Sequence, residues 1–432
     1  MQTRFIGKSQ KLFYPLFILM VILMSCNNNK KEKSDQSVKD SSVVKNDSSI
    51  ITFGHDLNFL KEKDSNLLVL SLPENPQAQI IVSAKYQAKV FTSTAQGTGG
   101  QSFGWVNYKA FNGSLDPHMN AYGGENRFWL GPEGGKYSLF FAPDSTMEFD
   151  NWKTPDAFDS ESWTIEKSDA RSATLTKQMN LLNYKGTHLS LSIERVIQLL
   201  SPMEIDRQTG MEISKSFPDI KLVAYLTDNK LTNTGTASWD ENTGMPCIWI
   251  LDMFTPSDKT VIVVPFKKTP ATEFNQVAAT DYFGAIPEDR LKHTEDVLYL
   301  KADGKMRGKL GVRPAKARDW IGSYSADSKV LTLLHYNIDA HAKYLNQQWN
   351  TKPPVFDGDA VNAYNDGPLA DGSQMGPFYE LESVSPAAFL APGASLTHQQ
   401  SVYHITGSVE DLNKITLQLL GVSLSDITTA FP

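Results

Sequence analysis

The stretch that decides the fold is residues 187–194, which reads THLSLSIE. Leu189, Leu191 and Ile193 alternate with polar residues, and a period of two places all three on one face of a β-strand. Few segments show the longer period of an amphipathic helix. The body of the chain is therefore predicted to be mainly β. Further runs of strand length lie at 247–254, 259–266 and 396–404.

Two hairpins are predicted from turn residues that separate strand-like runs. Asp303-Gly304 lies between the runs 296–300 and 305–312, and Asp-Gly is a strong signal for a tight hairpin turn. A short polar connection joins the runs 320–324 and 330–336 in the same way. Both pairs of strands are expected to be antiparallel neighbours.

The best helical pattern lies near the C-terminus, at residues 409–420. Ser408 is a suitable N-cap, since its hydroxyl can accept a hydrogen bond from a free backbone amide of the first turn. Leu412, Ile415 and Leu419 follow at helical spacing and predict the buried face. We therefore expect a mainly β protein with few short helices and a C-terminal helix.

The N-terminus has the pattern of a secretory signal. A basic segment precedes an apolar run at 12–25, which is too short to span a bilayer comfortably. Residues 23–26 read LMSC, which resembles a bacterial lipobox with Cys26 as the acylated residue. We predict a signal peptide at 1–25 and a lipid-anchored protein of the bacterial cell envelope, at the outer membrane. An ordinary signal peptide that ends near a cysteine is the alternative.

The composition of the rest of the chain limits which classes of binding partner are expected. Residues 26–49 are rich in Asn, Lys, Ser and Asp, and are predicted to be a disordered tether before a single domain at 50–432. Without the three basic residues of the signal, Lys and Arg fall from 41 to 38 against 48 acidic residues, a net charge of about −10. Nucleic acid is therefore not an expected partner. Once Cys26 is acylated, Cys247 has no partner for a disulfide.

One candidate binding segment is residues 121–135, which read AYGGENRFWLGPEGG. Its glycines allow the backbone to approach a ligand closely. The charged residues Glu125, Arg127 and Glu133 accompany the indole of Trp129. An aromatic face beside planar hydrogen-bonding groups is typical of sugar binding. The alternative is a turn-rich connection with surface ion pairs.

A second candidate segment is residues 376–386, which read GPFYELESVSP. In a strand, Glu380 and Glu382 project from one face and Tyr379 from the other. Two neighbouring carboxylates repel each other unless a cation, a shared proton or a ligand lies between them. Their repulsion raises one pKa and prepares a general acid or base. The alternative is a solvated outer face.

Short motifs in these segments resemble the aldose 1-epimerases, the galactose-mutarotase-like family. Residues 381–383 read LES, Pro386 follows, and 390–393 read LAPG, as in the C-terminal part of that family. Residues 124–127 (GENR) resemble its Asn-Arg segment, and 231–235 (LTNTG) resemble its mid-chain Thr-Asn strand end. The motifs occur in the family's order along most of the body.

The resemblance implies a large two-sheet antiparallel β-supersandwich with a concave sugar-binding face. It implies that Glu382 is the catalytic base and Arg127 a substrate-binding residue. The family's catalytic His has no counterpart at 236–254, so the proton donor is not identified. We predict catalytic roles for Glu382 and Glu380 and substrate-binding roles for Arg127, Asn126, Glu125, Trp129, Glu133 and Asp366.

Metal sites have weaker support in the sequence. Residues 357–367 read DGDAVNAYNDG, and their oxygen atoms could hold Ca²⁺. Val361 and Pro368 break the EF-hand pattern, so a turn-rich loop is the alternative. The histidines show no metal-ligand spacing. We expect no cofactor.

The leading hypothesis is an envelope lipoprotein that binds a carbohydrate and takes part in glycan utilisation. An extended form of this hypothesis is that the protein is an enzyme that acts on the carbohydrate. Whether it is an enzyme depends on a proton donor that faces Glu382. A non-catalytic scaffold for a partner protein is the alternative from a different class, and it predicts that the two charged segments lie far apart. A polysaccharide lyase or glycoside hydrolase is the third hypothesis.

Overall fold

The computed structural model describes residues 51–431, so the predicted signal peptide, Cys26 and the tether lie outside the described residues. Nineteen strands and five α-helices lie in this described range. The helices are α1 (Phe53–Lys63), α2 (Pro202–Thr209), α3 (Ile213–Ser216), α4 (Val409–Leu419) and α5 (Leu424–Thr429). The strands are β1 (Leu68–Leu72), β2 (Asn75–Ser83), β3 (Lys89–Thr94), β4 (Arg127–Gly131), β5 (Thr164–Ser168), β6 (Ser172–Leu182), β7 (His188–Leu199), β8 (Lys221–Asn233), β9 (Cys247–Phe254), β10 (Thr260–Pro265), β11 (Ala278–Ala279), β12 (Leu291–His293), β13 (Val297–Lys301), β14 (Gly308–Val312), β15 (Trp320–Ser325), β16 (Val330–Tyr336), β17 (Val361–Asn365), β18 (Tyr379–Val384) and β19 (Ser395–Thr406).

Two large antiparallel sheets and one small sheet make up the fold. The large sheets have ten strands, in the order β12-β13-β10-β15-β16-β19-β8-β7-β6-β5, and six strands, in the order β11-β14-β17-β18-β9-β4. The prediction of a mainly β protein with two large antiparallel sheets is confirmed. Strands β1 to β3 form a third sheet that the sequence did not predict. Helix α1 packs on this small sheet through Phe53 and Leu60.

Residues 188–194 of the alternating stretch lie in β7, which pairs with β6 and β8 in the ten-stranded sheet. Leu189, Leu191 and Ile193 are no more than 1% exposed, and burial of each such side chain contributes about 1.5–3 kcal/mol. Their polar neighbours face outward. The period of two therefore decided which face of this strand enters the core.

The predicted C-terminal helix is confirmed as α4. The Ser408 side chain accepts a hydrogen bond from the Asp411 backbone amide at 3.1 Å, so the predicted N-cap is present. Leu412, Ile415 and Leu419 are buried. With α2, α3 and α5, this helix packs on the outer face of the ten-stranded sheet.

One of the two predicted hairpins is wrong. Strand β13 pairs with β10 in the ten-stranded sheet, whereas β14 pairs with β17 in the six-stranded sheet. The Asp303-Gly304 turn therefore carries the chain from one sheet to the other. The Gly304 amide donates to Asn365 at 2.9 Å, and Asp303 pairs with Arg290, so partners outside the turn hold it. The second hairpin, β15–β16, is confirmed with Ser325 opposite Val330.

The two large sheets face each other across a mostly apolar core. The hydroxyls of Tyr379 on β18 and Ser323 on β15 are 2.8 Å apart, and Ser383 contacts His398 on β19 at 2.8 Å. The odd-numbered side chains of β18 therefore point at the ten-stranded sheet. Glu380 and Glu382 consequently lie on the outer face of the six-stranded sheet.

No helix among residues 51–431 has the length and apolar character needed to cross a membrane.

Candidate functional site

Strand register gathers charged side chains on the outer face of the six-stranded sheet. Arg127 on β4 lies opposite Leu251 on β9, which in turn lies opposite Glu382 on β18. One row away, Glu380 lies opposite Tyr364 on β17, which lies opposite Lys309 on β14. Residues directly opposite or diagonal on one face are within reach of long side chains. The sheet thus brings two cations and two carboxylates together.

These groups form two buried ion pairs. The Arg127 guanidinium donates to Oε1 of Glu380, across 253 positions of sequence. Lys309 Nζ lies 3.0 Å from Oε2 of Glu382, whose side chain is 0% exposed. Each of the two neighbouring carboxylates, Glu380 and Glu382, therefore has a cation beside it that offsets their mutual repulsion. Arg127 and Glu380, which we predicted to share a site, are in direct contact.

Indole rings hold this cluster in place. Trp249 Nε1 donates to Oε2 of Glu382 at 2.8 Å. Lys309 Nζ lies 4.7 Å from the centroid of the Trp249 ring, and the Arg127 guanidinium carbon lies 5.1 Å from that of Trp129. A cation over an aromatic face is attracted by the ring electrons. Trp249 and Lys309 therefore occupy the donor positions around Glu382.

Burial and neighbouring charges shift the pKa values of Glu380 and Lys309 in the cluster. Burial, together with the nearby Glu382 and against the opposing effect of Arg127, raises the pKa of Glu380 to about 7. For Lys309, burial lowers the pKa, but Glu382, Glu133 and Glu380 outweigh it, so the net pKa is raised. Lys309 is therefore charged at neutral pH, while Glu380 is close to half ionised.

Glu133 joins the cluster at a half-buried position. Its Oε1 accepts a hydrogen bond from Trp152 Nε1 at 3.1 Å. Burial raises the pKa of Glu133, which Lys309 opposes and Glu382 reinforces. A second acid with a raised pKa thus lies near Glu382.

Two polar atoms of the cluster are buried without a hydrogen-bond partner among the described residues. They are Oε1 of Glu382 and Nε of Arg127. Buried polar atoms are normally satisfied, and an exception calls for an explanation such as a bound ligand. Because Trp249 and Lys309 fix the other oxygen of Glu382, Oε1 is an oriented acceptor.

The two halves of the site differ in access. Trp105 packs against Phe378, with ring centroids 4.8 Å apart, and Met253 and Tyr364 complete a buried apolar cluster beside Glu380. Arg127 and Glu380 are only 4% and 6% exposed. Around Lys309 the flanking residues are partly exposed. They are Glu133, Tyr282, Arg307 and Trp349. Lys309 and Glu382 are themselves 8% and 0% exposed, so a ligand would approach the Lys309–Glu382 side past these four partly exposed residues.

Two predicted site residues lie elsewhere. Glu125 points between the large sheets, where its Oε1 lies 3.5 Å from His404 Nε2, and the Asn126 side chain accepts a hydrogen bond from the buried Arg195. The reason is their pairing, since the backbone amides of Glu125 and Asn126 donate to carbonyl oxygens of β3 at 3.1 Å, before β4 begins at Arg127. Neither residue reaches the outer face.

The glycines of this segment also serve a different purpose from the predicted one. A Cβ on Gly123 would lie 2.2 Å from the Trp105 carbonyl oxygen, and one on Gly134 would lie 2.1 Å from the Gln348 carbonyl oxygen. They allow the backbone to approach other backbone segments, not a ligand.

The segment 357–367 is not a turn-rich loop, since strand β17 (Val361–Asn365) lies within it. Hydrogen bonds hold the residues on either side of this strand. Asp359 accepts a hydrogen bond from Tyr282 at 2.6 Å, and Asp366 accepts one from Tyr364 at 2.7 Å. Asp366 lies close enough to Glu380 to raise its pKa, so it borders the cluster as we predicted. Among the described residues no three His, Cys, Asp or Glu side chains are grouped to hold a metal ion.

Sequence reasoning missed Lys309, Trp249 and Tyr282. Lys309 lies in the run KLGV, where alternation predicts a strand but gives no chemical signal. Trp249 lies in an apolar run in which a core role is the default for any indole. Their roles depend on which strands are neighbours, which no local pattern states.

Comparison with known families assigns the chain to a group. Residues 51–431 match the family described as Family of unknown function (DUF6786). The chain belongs to this family. No curated protein matches this DUF6786 chain in sequence.

Solved structures are similar to the DUF6786 chain over most of its length. A putative aldose 1-epimerase from Escherichia coli K12 is 13% identical, with a TM-score of 0.46, over 79% of this chain and 99% of the other. A galactose mutarotase-like protein from Lactobacillus casei is 10% identical, with a TM-score of 0.44, over 78% and 100%. A putative mutarotase from Salmonella typhimurium is 10% identical, with a TM-score of 0.42, over 79% and 90%. Each of these is a similarity of fold alone and says nothing of activity.

Proposed function

We propose that this protein is a lipoprotein of the bacterial envelope that binds a neutral carbohydrate at the Lys309–Glu382 side of the six-stranded sheet. The observation that carries the proposal is the carboxylate of Glu382. One oxygen is fixed by Trp249 and Lys309, and the other is buried without a partner. A sugar hydroxyl can donate to such an acceptor, and the fixed orientation reduces the entropy lost on binding.

Charge favours a neutral ligand. Each cation of the cluster already pairs with a carboxylate, Arg127 with Glu380 and Lys309 with Glu382. Glu133 adds a further carboxylate and Arg307 a further cation, so three carboxylates balance three cations and the site has no net positive charge that would favour an anion. Hydroxyl groups, which donate and accept, suit the oriented carboxylate and the partly exposed ring of Tyr282.

The same groups favour an enzyme as the extension of this proposal. Proton transfer requires a base and an acid near one bond, with pKa values close to the working pH. Glu382 supplies the oriented acceptor. Glu133 and Glu380 have raised pKa values, and Lys309 is a charged donor at 3.0 Å from Glu382. Release or isomerisation of a sugar bound at this site is the activity to assay.

The scaffold alternative has less support. It expected the two charged segments to lie far apart, whereas Arg127 and Glu380 form an ion pair. A structural lipoprotein has no need of an oriented buried acceptor such as Oε1 of Glu382. Use in glycan utilisation remains part of our proposal and follows from the predicted envelope location.

We expect Glu382→Gln to weaken sugar binding at least tenfold, and Arg127→Ala to weaken it less, because Arg127 pairs with Glu380 on the less accessible side. Loss of one charge-assisted hydrogen bond costs about 1.5–3 kcal/mol, and about 1.4 kcal/mol is a factor of ten. Isothermal titration with a panel of neutral mono- and oligosaccharides measures the effect. Arg171→Ala is the matched control, because Arg171 forms a 3.2 Å ion pair with Glu204 outside the site. Absence of binding by the parent, or equal binding by parent and both site variants, would refute the proposal.

The envelope location has its own test. We expect Cys26→Ala to move the protein from the membrane fraction to the soluble fraction of cells, because the predicted lipid is the only anchor we propose. Immunoblots of the two fractions measure this. Cys247→Ala is the control, since Cys247 is buried in the core and its change leaves the anchor intact. Retention of the Cys26→Ala protein in the membrane fraction contradicts the anchor.

A further inference from the structure

A row of parallel aromatic rings leads from the candidate site to the surface. The rings of Trp349 and Trp152 have centroids 6.0 Å apart and planes at 22°, and those of Trp152 and Phe149 have centroids 6.1 Å apart and planes at 17°. We call Trp349, Trp152 and Phe149 the aromatic stack. Parallel rings this far apart are offset, and Phe140 also stacks on Trp152 with centroids 5.8 Å apart, so the accessible rings are those of Trp349 and Phe149.

The stack is continuous with the charged cluster. Trp152 Nε1 donates to Glu133 at 3.1 Å. Trp129 lies 6.4 Å from Trp152 and 5.5 Å from Trp249, which holds Glu382. A chain of aromatic contacts therefore joins Glu382 to Phe149 at the surface.

The two end rings of the aromatic stack are more exposed than its central ring, Trp152. Trp249 is 2% exposed and Trp152 is 6% exposed, Trp349 is partly exposed, and Phe149 is 58% exposed. Single exposed apolar rings are common and need no explanation. Phe149 is a different case, because Trp152 orders it in one row with the second accessible ring, Trp349, beside a cluster of buried charges.

The outer ring is held in a defined position. His118 stacks on Phe149 with centroids 4.6 Å apart, and His118 Nδ1 lies 2.5 Å from the Trp152 carbonyl oxygen. The Asn151 side chain donates to the Thr146 carbonyl oxygen at 3.0 Å and so ties the turn that carries Phe149. A ring that is already ordered binds with little loss of entropy.

We infer that the aromatic stack is a second carbohydrate subsite, so that the ligand is an oligosaccharide with one sugar unit at Lys309–Glu382 and further units on the rings of Trp349 and Phe149. The inference rests on the proposed function. Apolar faces of sugar rings pack on aromatic rings, and successive offset rings suit successive units of a chain. Exposed Glu148 and Asp150 flank Phe149, so a neutral chain fits better than an acidic one.

Chain length is the variable that tests this inference. Isothermal titration of the full chain uses glucose, xylose and galactose, and the tetrasaccharide of each sugar. For the parent and for each variant it gives the affinity for the monosaccharide and the affinity for the tetrasaccharide. We expect at least one tetrasaccharide to bind about tenfold more tightly than its monosaccharide. Phe149→Ala should lower tetrasaccharide affinity about three- to tenfold, as loss of one aromatic contact does, and leave monosaccharide affinity unchanged.

Controls separate the stack from the charged cluster. Phe149→Tyr keeps the ring and should keep the parent's affinity for tetrasaccharide. Phe389→Ala removes an exposed ring that packs against Phe356 outside the stack and should change neither affinity.

The outcomes are distinct. If a monosaccharide binds and depends on Glu382, but the tetrasaccharide binds no more tightly, the second subsite is wrong and the proposed function stands. Equal loss of both affinities in Phe149→Ala also overturns the subsite. If no sugar of the panel binds the parent, both the function and the subsite are wrong.

Discussion

Replacement of Lys309 by Met is expected to lower the free energy of unfolding by about 3–5 kcal/mol, the usual effect of removing one partner from a buried ion pair. Lys309 and Glu382 are 3.0 Å apart, with side chains 10% and 0% exposed. Without the ammonium group, the Glu382 carboxylate keeps one hydrogen bond, from Trp249. The cost is large because a buried charge is then left without compensation.

The matched control is Lys343→Met. Lys343 lies 2.8 Å from Glu241, but both side chains are more than half exposed, and such surface pairs contribute about 0–1 kcal/mol. Urea unfolding followed by Trp fluorescence gives both values. The double variant Lys309→Met with Glu382→Gln should recover much of the loss, because the unpaired charge is gone. Equal losses at positions 309 and 343, or no recovery in the double variant, would contradict this explanation.

Raising the pH from 5 to 8 is expected to destabilise the protein through Glu380 by roughly 3 kcal/mol. The pKa of Glu380 is raised from 4.5 to about 7, first by burial and then by Glu382, against Arg127. Between these two values the folded protein keeps a proton that the unfolded chain has lost. Stability contributed by the protonated form is therefore present at low pH and is lost as pH rises toward 7.

Comparison of the parent with Glu380→Gln isolates this effect from that of other groups. Urea unfolding at pH 5, 6, 7 and 8 should show that the parent loses more stability with rising pH than the variant does. Glu204→Gln is the control of opposite sign: burial raises the pKa of Glu204, but hydrogen bonds from Ser201 outweigh it and the net pKa is lowered. The difference in free energy of unfolding between Glu204→Gln and the parent should stay constant from pH 5 to pH 8. Parallel curves for the parent and Glu380→Gln would refute the prediction.

Local patterns predicted β18 and its faces correctly, whereas β4 and β17 lie in segments that we had not predicted to be strands. The alternation of 378–382 placed Glu380 and Glu382 on one face with Tyr379 on the other, as β18 shows. The cap at Ser408 and the buried positions of α4 were also correct. These features depend on residues within one or two turns of each other, and the period of the backbone relates them.

Local patterns failed where a choice between distant partners was needed. Asp303-Gly304 is a turn, but β13 and β14 join different sheets. Glu125 is two positions from Arg127, yet it points between the sheets, because its backbone pairs with β3 before β4 begins at Arg127. Neither the sheet that each strand joins nor the direction of the Glu125 side chain can be predicted from the neighbouring residues.

The sequence by itself determined that this chain is mainly β, which side chains of each strand share a face, and that acidic side chains lie near aromatic ones. Those properties follow from short-range periodicity and composition. Only the tertiary structure decided that Lys309 faces Glu382 and that Arg127 meets Glu380. The physical reason is strand order: β14, β17, β18, β9 and β4 become neighbours through packing of the whole core, and charges far apart in sequence meet only after that order is set.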